Sequence, residues 1–283
     1  MQDDVRIAID HSPHYRPYRK TVIVLYALPN GNSIEQTMGK KLQPGDDWHF
    51  DIQHITAQTG FIRKEWNKVN LTVAYIENTY KSWPAWKAKH SDFKERVRVI
   101  VDSVLARVPG SGEELYLNGH SGGGRFIFSF IDAFDEIPGY IKRISFLDSD
   151  YGYDSTYTSK LINWVKSSPD HFLNVFAYND SVALYDGKPV VSATGGTWYR
   201  SRLMQSDLSA DFDFKKIRDD SVVAYRSNTD RIHFFFKLNP DRKIFHTQQV
   251  ELNGFIHSLL CGTKRDSKRY RYYGPRAYSE YVN

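Results

Sequence analysis

The feature that most constrains this chain is a serine flanked by glycines, set between a predicted strand and a predicted helix. Residues 114–118 read ELYLN, a short apolar run typical of a buried strand, and the apolar run after Gly124 predicts a helix over residues 122–134. The connection, GHSGG over residues 119–123, leaves few residues for the change of direction. Glycine tolerates such close backbone packing, so the turn is expected to raise the Ser121 hydroxyl clear of the sheet.

Strands and helices alternate along the chain. Apolar, β-branched and aromatic runs predict strands at residues 20–27, 70–77, 114–118, 143–148, 173–178 and 231–238. Runs with apolar residues on one helical face predict helices at residues 91–108, 122–134, 154–166 and 247–260. This alternation is typical of βα units, so it predicts one α/β domain over residues 1–283, with a mostly parallel central sheet and helices on both faces.

Two segments differ from this pattern. Residues 183–230 are polar and glycine-containing, which predicts a loop-rich insertion or a lid over a site. Residues 263–283 form a basic, tyrosine-rich C-terminal tail that is expected to pack over the domain or to help bind an anionic or saccharide ligand. Since ligands bind at the carboxyl ends of parallel strands, the loops that follow the predicted strands are where a site is expected.

The composition excludes several classes of protein. No run approaches the roughly 18 consecutive apolar residues of a membrane helix, so no membrane span is expected. The 38 basic and 33 acidic side chains are spread along the chain, and apart from the basic run at residues 264–271 nothing indicates a nucleic-acid partner. Cys261 is the single cysteine, which excludes an internal disulfide and a thiolate metal cluster. Neither a metal nor a cofactor is expected.

The first residues, MQDD, are polar and lack the apolar core of a signal peptide. Together with the high content of tyrosine and tryptophan, this start favours an exported bacterial protein, periplasmic or secreted, whose signal has been removed. A cytoplasmic protein is the alternative. The sequence specifies no oligomeric state.

The G-x-S-x-G pattern between a strand and a helix resembles the nucleophile turn of the α/β-hydrolase superfamily. The resemblance extends over residues 20–262 and implies a serine hydrolase, similar to esterases and lipases, in which Ser121 attacks an acyl carbonyl. A side-chain Cβ at Gly119 or Gly123 would collide with a neighbouring strand or helix. The N–H of Gly122, at the start of the helix, is the natural first donor to the oxyanion.

A serine nucleophile needs a base, and His246 is the preferred candidate. It follows the last predicted strand, where the superfamily presents its catalytic histidine. The rivals are His257, inside an apolar helix, and His233, inside a strand. His120, next to the nucleophile, is expected to pack or to hydrogen-bond at the site.

The base in turn needs a carboxylate. Asp180 follows the strand at residues 173–178 and occupies the usual position of the acid in the superfamily. Asp148 and Asp150 follow the strand at residues 143–148, a position that some lipases use. We therefore expect Asp180 to be the acid, with Asp150 or Asp148 as the alternatives, and otherwise expect Asp150 to shape the pocket.

Two further loops are expected at the site. Asn30 and Gly31 follow the strand at residues 20–27 in a Pro-Asn-Gly turn, and the N–H of either one would supply the second oxyanion donor. Trp83 and Trp86 follow the strand at residues 70–77 and would suit stacking on a substrate or plain packing.

The expected activity is hydrolysis of a carboxylic ester through an acyl-enzyme on Ser121, with a small-molecule or saccharide ester as substrate. The tryptophans and the tail favour a carbohydrate-linked ester over a long-chain lipid. Amide or peptide hydrolysis with the same triad is one alternative. A non-catalytic module that binds glycan or protein is the other.

Overall fold

The apolar runs of the sequence become the strands of one large sheet. The computed structural model describes residues 3–110, 114–266 and 269–283. Within these ranges the strands are β1 (Val5–Asp10), β2 (Thr21–Ala27), β3 (Asn70–Asn78), β4 (Leu115–His120), β5 (Ile141–Leu147), β6 (Phe172–Tyr178), β7 (Leu184–Tyr185), β8 (Lys188–Pro189), β9 (Phe214–Arg218), β10 (Val222–Ser227) and β11 (Ile232–Lys237). Met1 and Gln2 of the polar start, and Ser267 and Lys268 of the basic run, lie outside the described residues.

The strand order of the large sheet is β1-β3-β2-β4-β5-β6-β11-β10-β9. The six central strands from β3 to β11 are parallel, whereas β1, at one edge, and β10, next to the other edge, run antiparallel to their neighbours. These six parallel strands are the six that the sequence predicts. β7 and β8 form a separate hairpin.

Helices cover both faces of the sheet. In the described ranges they are α1 (Ile34–Met38), α2 (Ile55–Glu65), α3 (Trp83–Lys89), α4 (Phe93–Leu105), α5 (Gly124–Asp132), α6 (Thr158–Ser167), α7 (Thr197–Leu208), α8 (Gln248–Glu251) and α9 (Gly254–Leu260). The predicted α/β-hydrolase fold, with its mostly parallel sheet between two helical layers, is confirmed.

The central strands separate two hydrophobic cores. Along β2, Ile23 and Leu25 point into the core formed with α3 to α7, while Val22 and Val24 point into the core formed with α1, α2, α8 and α9. Because successive side chains of a strand face opposite sides, a strand covered on both faces is apolar throughout, as β2 is. This double burial fixes the carboxyl ends of the strands, where the site lies.

The helix predicted over residues 247–260 is broken into α8 and α9. Asn253 lies at the break with a left-handed backbone, φ of +66°. Its side-chain amide donates to the carbonyls of Arg271 and Pro275, both at 2.8 Å. The helix is thus interrupted where it holds the C-terminal segment.

Residues 183–230 contain more regular structure than expected. The β7–β8 hairpin, helix α7 and strands β9 and β10 account for most of this segment, and the last two extend the central sheet. The segment therefore belongs largely to the body of the fold.

The C-terminal tail packs on the domain, which was one of the two expectations. Tyr270, Tyr272 and Tyr278 are buried in the core beside α2 and α9. The Arg276 guanidinium pairs with Asp51 at 2.6 Å and Glu251 at 2.7 Å. In the described part of the chain, no helix is long and apolar enough to cross a bilayer.

Candidate active site

The turn that carries Ser121 is closely packed. Ser121 has a φ of +53°, in the left-handed region that residues with a side chain rarely adopt. A Cβ atom on Gly123 would lie 2.1 Å from the carbonyl oxygen of Ala27, and one on Gly124 would lie 1.8 Å from that of Ser149. A Cβ atom on Gly119 would meet the Gly123 carbonyl carbon at 3.0 Å. The chain can make this turn only with glycines around the serine.

His246 is held by Asp148. It lies in the loop between β11 and α8, and its Nδ1 donates a hydrogen bond to the Asp148 carboxylate. Asp148 directly follows β5, has a φ of +48° and is fully buried. With the proton of the imidazole on Nδ1, the other ring nitrogen, Nε2, is left with a lone pair that can accept a proton.

The structure corrects the assignment of Asp180 as the partner of His246. The Asp180 carboxylate instead accepts from the backbone N–H of Thr197 at 2.8 Å and of Trp198 at 3.4 Å, the first residues of α7. These N–H groups have no partner within their helix, and a carboxylate also suits the positive end of the helix dipole. Asp180 therefore caps α7.

Thr197 links the two carboxylates. Its hydroxyl donates to Asp148 and lies 3.2 Å from Asp180 Oδ2. Burial and the charge of Asp148 raise the pKa of Asp180 to about 6. The acid that holds His246 is thus positioned by a residue of the 183–230 segment, which the sequence pattern did not single out.

Asp150 does not contact His246 either. It is fully buried, and its Oδ2 accepts a hydrogen bond from the Ser201 hydroxyl at 2.8 Å. Burial, with a smaller contribution from the charge of Asp148, raises the pKa of Asp150 well above its ordinary value. It is not among the described residues that line the cleft over Ser121.

His120 packs against the ring of His246 and hydrogen-bonds to its backbone. The two rings lie 4.5 Å apart between centroids, and His120 Nε2 donates to the backbone carbonyl of His246 at 3.2 Å. Burial, followed by the proximity of His246, lowers the pKa of His120 well below its ordinary value, so this ring is neutral at pH 7. His120 is therefore a buried residue that helps to position His246. The rivals His233 and His257 are buried elsewhere, against Asp230 and Tyr272.

The structure separates the two candidates for the second oxyanion donor. The N–H of Gly31 donates to the carbonyl of Lys81 at 2.8 Å and is not free for an oxyanion. Asn30 lies directly over the turn, because a Cβ on Gly122 would come within 1.9 Å of its Oδ1. Asn30 and Gly122 also line the same cleft as Ser121. Of the two, Asn30 remains the candidate.

Trp83 and Trp86 do not face the cleft. They are 2% and 1% exposed, and Trp83 packs edge-on against Phe126 with 4.7 Å between ring centroids. The Trp86 Nε1 donates to Asp4 at 2.8 Å. The prediction that they stack on a substrate is therefore wrong, since both are core residues of α3. Pro84, the residue after Trp83, lines the cleft instead.

The cleft over Ser121 has a volume of about 250 Å³. Its wall is formed by the turn, by the loop that contains Asn30, by Pro84 at the start of α3 and by the loop after β5. The lining residues are Asn30, Pro84, Ser121, Gly122, Arg125, Ser149, Tyr151 and Gly152. Arg125, Ser149, Tyr151 and Gly152 were not foreseen as site residues, although Ser149 lies between Asp148 and Asp150, and Tyr151 and Gly152 directly follow them.

Tyr151 contacts His246 and also lines the cleft. Its ring lies against that of His246, with 6.4 Å between centroids, while it also lines the cleft beside Ser121. Among the described residues no hydrogen bond joins the Ser121 hydroxyl to His246. Hydrogen bonds between catalytic groups are often long before substrate binds and shorten in the complex.

Three solved structures are similar to this chain. A thermostable esterase is 16% identical, with a TM-score of 0.48, over 84% of this chain and 52% of that chain, so this chain spans about half of its length. The siderophore hydrolases EstA and EstB from Aspergillus nidulans are both 13% identical, with TM-scores of 0.44 and 0.41. The matches cover 90% and 91% of this chain and 89% and 90% of those chains. No protein-family model and no curated protein matches the sequence.

Proposed function

We propose that the protein is a serine hydrolase that cleaves a carboxylic ester through an acyl-enzyme on Ser121. His246 is the general base and Asp148 is the carboxylate that orients it. The observation that carries this proposal is the hydrogen bond from His246 Nδ1 to buried Asp148. Ser121 lies on a strained turn, and the residue before it, His120, contacts the ring and the backbone carbonyl of the same histidine.

The chemistry follows from these positions. His246 Nε2 accepts the proton of Ser121 as its oxygen attacks the ester carbonyl, and Asp148 stabilises the imidazolium that forms. The N–H of Gly122 and a donor from Asn30 hold the oxyanion, and each such donor lowers the barrier by about 3 kcal/mol. The alcohol leaves with the proton from His246, and water then repeats the sequence on the acyl-enzyme.

The preference for a carbohydrate-linked ester is not retained. It depended on exposed tryptophans and on a tail available to ligand, whereas Trp83, Trp86 and Tyr278 are buried. The cleft of about 250 Å³ over Ser121 fits a small ester better than a long acyl chain.

The test is covalent labelling of the purified protein by a fluorophosphonate, together with hydrolysis of p-nitrophenyl acetate and butyrate. Wild type is expected to be labelled and active. Ser121→Ala is expected to lose labelling, and His246→Ala to lose at least roughly a thousand-fold in kcat. Ser103→Ala, on the surface of α4, is a control that should behave as wild type. Failure of wild type to label would favour the non-catalytic binding module, and turnover of p-nitroanilides instead of esters would favour an amidase.

A further inference from the structure

Arg125 is a cation without a partner beside the proposed nucleophile. It occupies the first turn of α5, four residues after Ser121, and it lines the same cleft. Among the described residues its guanidinium makes no hydrogen bond and no ion pair. A positive charge in the first turn of a helix opposes the helix dipole, so this position is unfavourable for the fold itself.

The loop after β5 leaves room for this guanidinium. A Cβ atom on Gly152 would lie 3.0 Å from the guanidinium carbon of Arg125. Contacts that close are rare, so a larger residue at 152 would displace the guanidinium. The Arg125 guanidinium therefore lies against Gly152, which follows Tyr151 in the wall of the cleft.

A second cleft, of about 560 Å³, adjoins the first and shares Pro84 and Arg125 with it. Its other walls come from α3 and the turn that follows, and they include Lys87, Lys89 and His90. Lys87 pairs with Asp132 and His90 with Asp4, at 2.8 and 2.7 Å. Lys89 is exposed and, in the part of the chain described, has no ion pair.

The charged side chains that line the two clefts are all basic. The residues that line them include Arg125, Lys87 and Lys89, and none of the described lining residues is an aspartate or a glutamate. A guanidinium binds a carboxylate or a phosphate through two parallel hydrogen bonds. An anionic group on a substrate would thus meet an unpaired cation within the cleft that contains Ser121.

Resting on the proposed function, we infer that the preferred substrate is an ester that carries a negatively charged group, a carboxylate or a phosphate. Arg125 binds that group at the junction of the two clefts, and Lys89 adds attraction from the second cleft, while the ester carbonyl lies over Ser121. Arg125 is then a specificity residue that acts mainly on KM.

The experiment compares esters that carry a carboxylate with neutral esters of similar size. On the alcohol side the pair is 4-acetoxybenzoate and 4-acetoxybenzamide, and on the acyl side it is the p-nitrophenyl monoester of adipic acid and p-nitrophenyl hexanoate. Wild type is expected to favour the anionic member of at least one pair in kcat/KM. Arg125→Gln should lower the ratio of anionic to neutral kcat/KM roughly ten-fold, on the scale of one charge-assisted hydrogen bond. The effect should weaken as salt rises.

Lys68→Gln is the matched control, because Lys68 is an exposed cation that precedes β3 at the amino end of the parallel strands. It removes the same net charge and should leave the ratio unchanged. Lys89→Gln, on the surface, should lower the ratio less than Arg125→Gln does. It replaces Arg125→Gln as the test of the anion site if that variant does not fold. A wild-type enzyme that prefers neither anionic ester, or a ratio that falls equally in Lys68→Gln, would overturn the inference.

A binding measurement keeps this result separate from the question of catalysis. Calorimetric titration of wild type with 4-hydroxybenzoate and 4-hydroxybenzamide should show tighter binding of the anion, and Arg125→Gln should remove the difference. Equal affinities would count against the anion site even if esters are cleaved. Loss of the difference in Arg125→Gln would support the site even if Ser121→Ala retained hydrolysis and the proposed function failed.

Discussion

At the scale of single residues, the imidazole of His246 is the most constrained group of the site. Its Nδ1 donates to Asp148, its carbonyl accepts from His120, and the Tyr151 ring lies against it. Because Nδ1 donates to Asp148, the structure fixes the tautomer of His246 and leaves Nε2 as the nitrogen that can accept a proton. Asp148 contacts His246 whereas Asp180 caps α7, and substitutions can separate these two roles.

Asp148→Asn is expected to lower kcat for p-nitrophenyl acetate by on the order of 10⁴, because an amide donates to Nδ1 and favours the wrong tautomer of the base. Asp180→Asn should cause a much smaller loss, since Asp180 accepts from the amides of α7 and does not touch His246. Steady-state kinetics of both variants at pH 7 provide the check. Equal losses would return Asp180 to the role of the catalytic acid.

The raised pKa of Asp180 has a consequence for stability. The pKa is about 6 in the folded protein against an ordinary value of 3.8, so between these values the folded state binds more protons than the unfolded state. Stability from this group therefore increases as the pH falls from above 6 to about 4, by at most about 3 kcal/mol. Thermal unfolding midpoints of wild type and Asp180→Asn at pH 5 and pH 7 test this. The unfolding midpoint of wild type relative to that of Asp180→Asn should be higher at pH 5 than at pH 7. The same difference between the two midpoints at both pH values would contradict this prediction.

At the scale of elements, the start of α5 and the loop after β5 are in backbone contact. A Cβ on Gly124 would lie 1.8 Å from the carbonyl oxygen of Ser149, which no side-chain rotation can relieve. Gly124→Ala is therefore expected to cost about 1–3 kcal/mol in the free energy of unfolding and to reduce activity sharply. Gly139→Ala is the control, because apart from its chain neighbours no atom lies within 4 Å of the position that its methyl group would occupy. Denaturant unfolding measures both, and equal stabilities would show that the contact relaxes.

The elements that sequence alone predicts are those with the strongest periodic burial. The six parallel strands are apolar because both of their faces are covered. Strand β9, in contrast, reads FKKIR at an exposed edge, and the apolar residues of α7 do not form one helical face, so neither has a clear pattern. The break between α8 and α9 depends on Asn253 and on partners about twenty residues later in the chain.

The same holds for the site: its residues could be predicted where a local sequence pattern marks them. Ser121, Gly122 and His246 were predictable because the strand, turn and helix, and the loop after the last strand, are local features. The choice among Asp148, Asp150 and Asp180 was not, because it depends on which of these carboxylates caps α7 and which contacts His246. Trp83 and Trp86 follow a strand as expected, but the direction of α3 turns them into the core.

At the scale of the whole molecule, the sheet divides the chain into two cores that support opposite sides of the site. The core that contains α5 holds the turn with Ser121, whereas the core that contains α8 and α9 lies behind the loop of His246. The C-terminal segment closes the second core through Tyr278, whose hydroxyl donates to the carbonyl of Glu251 at 2.8 Å. Ser121 and His246 are thus supported by different layers of the molecule.

The left-handed backbone conformation of Ser121 is energetically unfavourable, and the packing of the surrounding residues must compensate for it. A residue with a side chain held in this region costs about 1–3 kcal/mol, an appreciable share of the roughly 5–15 kcal/mol that keeps a protein folded. A laboratory evolution campaign that rewarded heat resistance alone would consequently drift toward glycine at this position and lose the hydroxyl unnoticed. The variants selected in each round would need to be assayed for ester hydrolysis as well as for thermal stability.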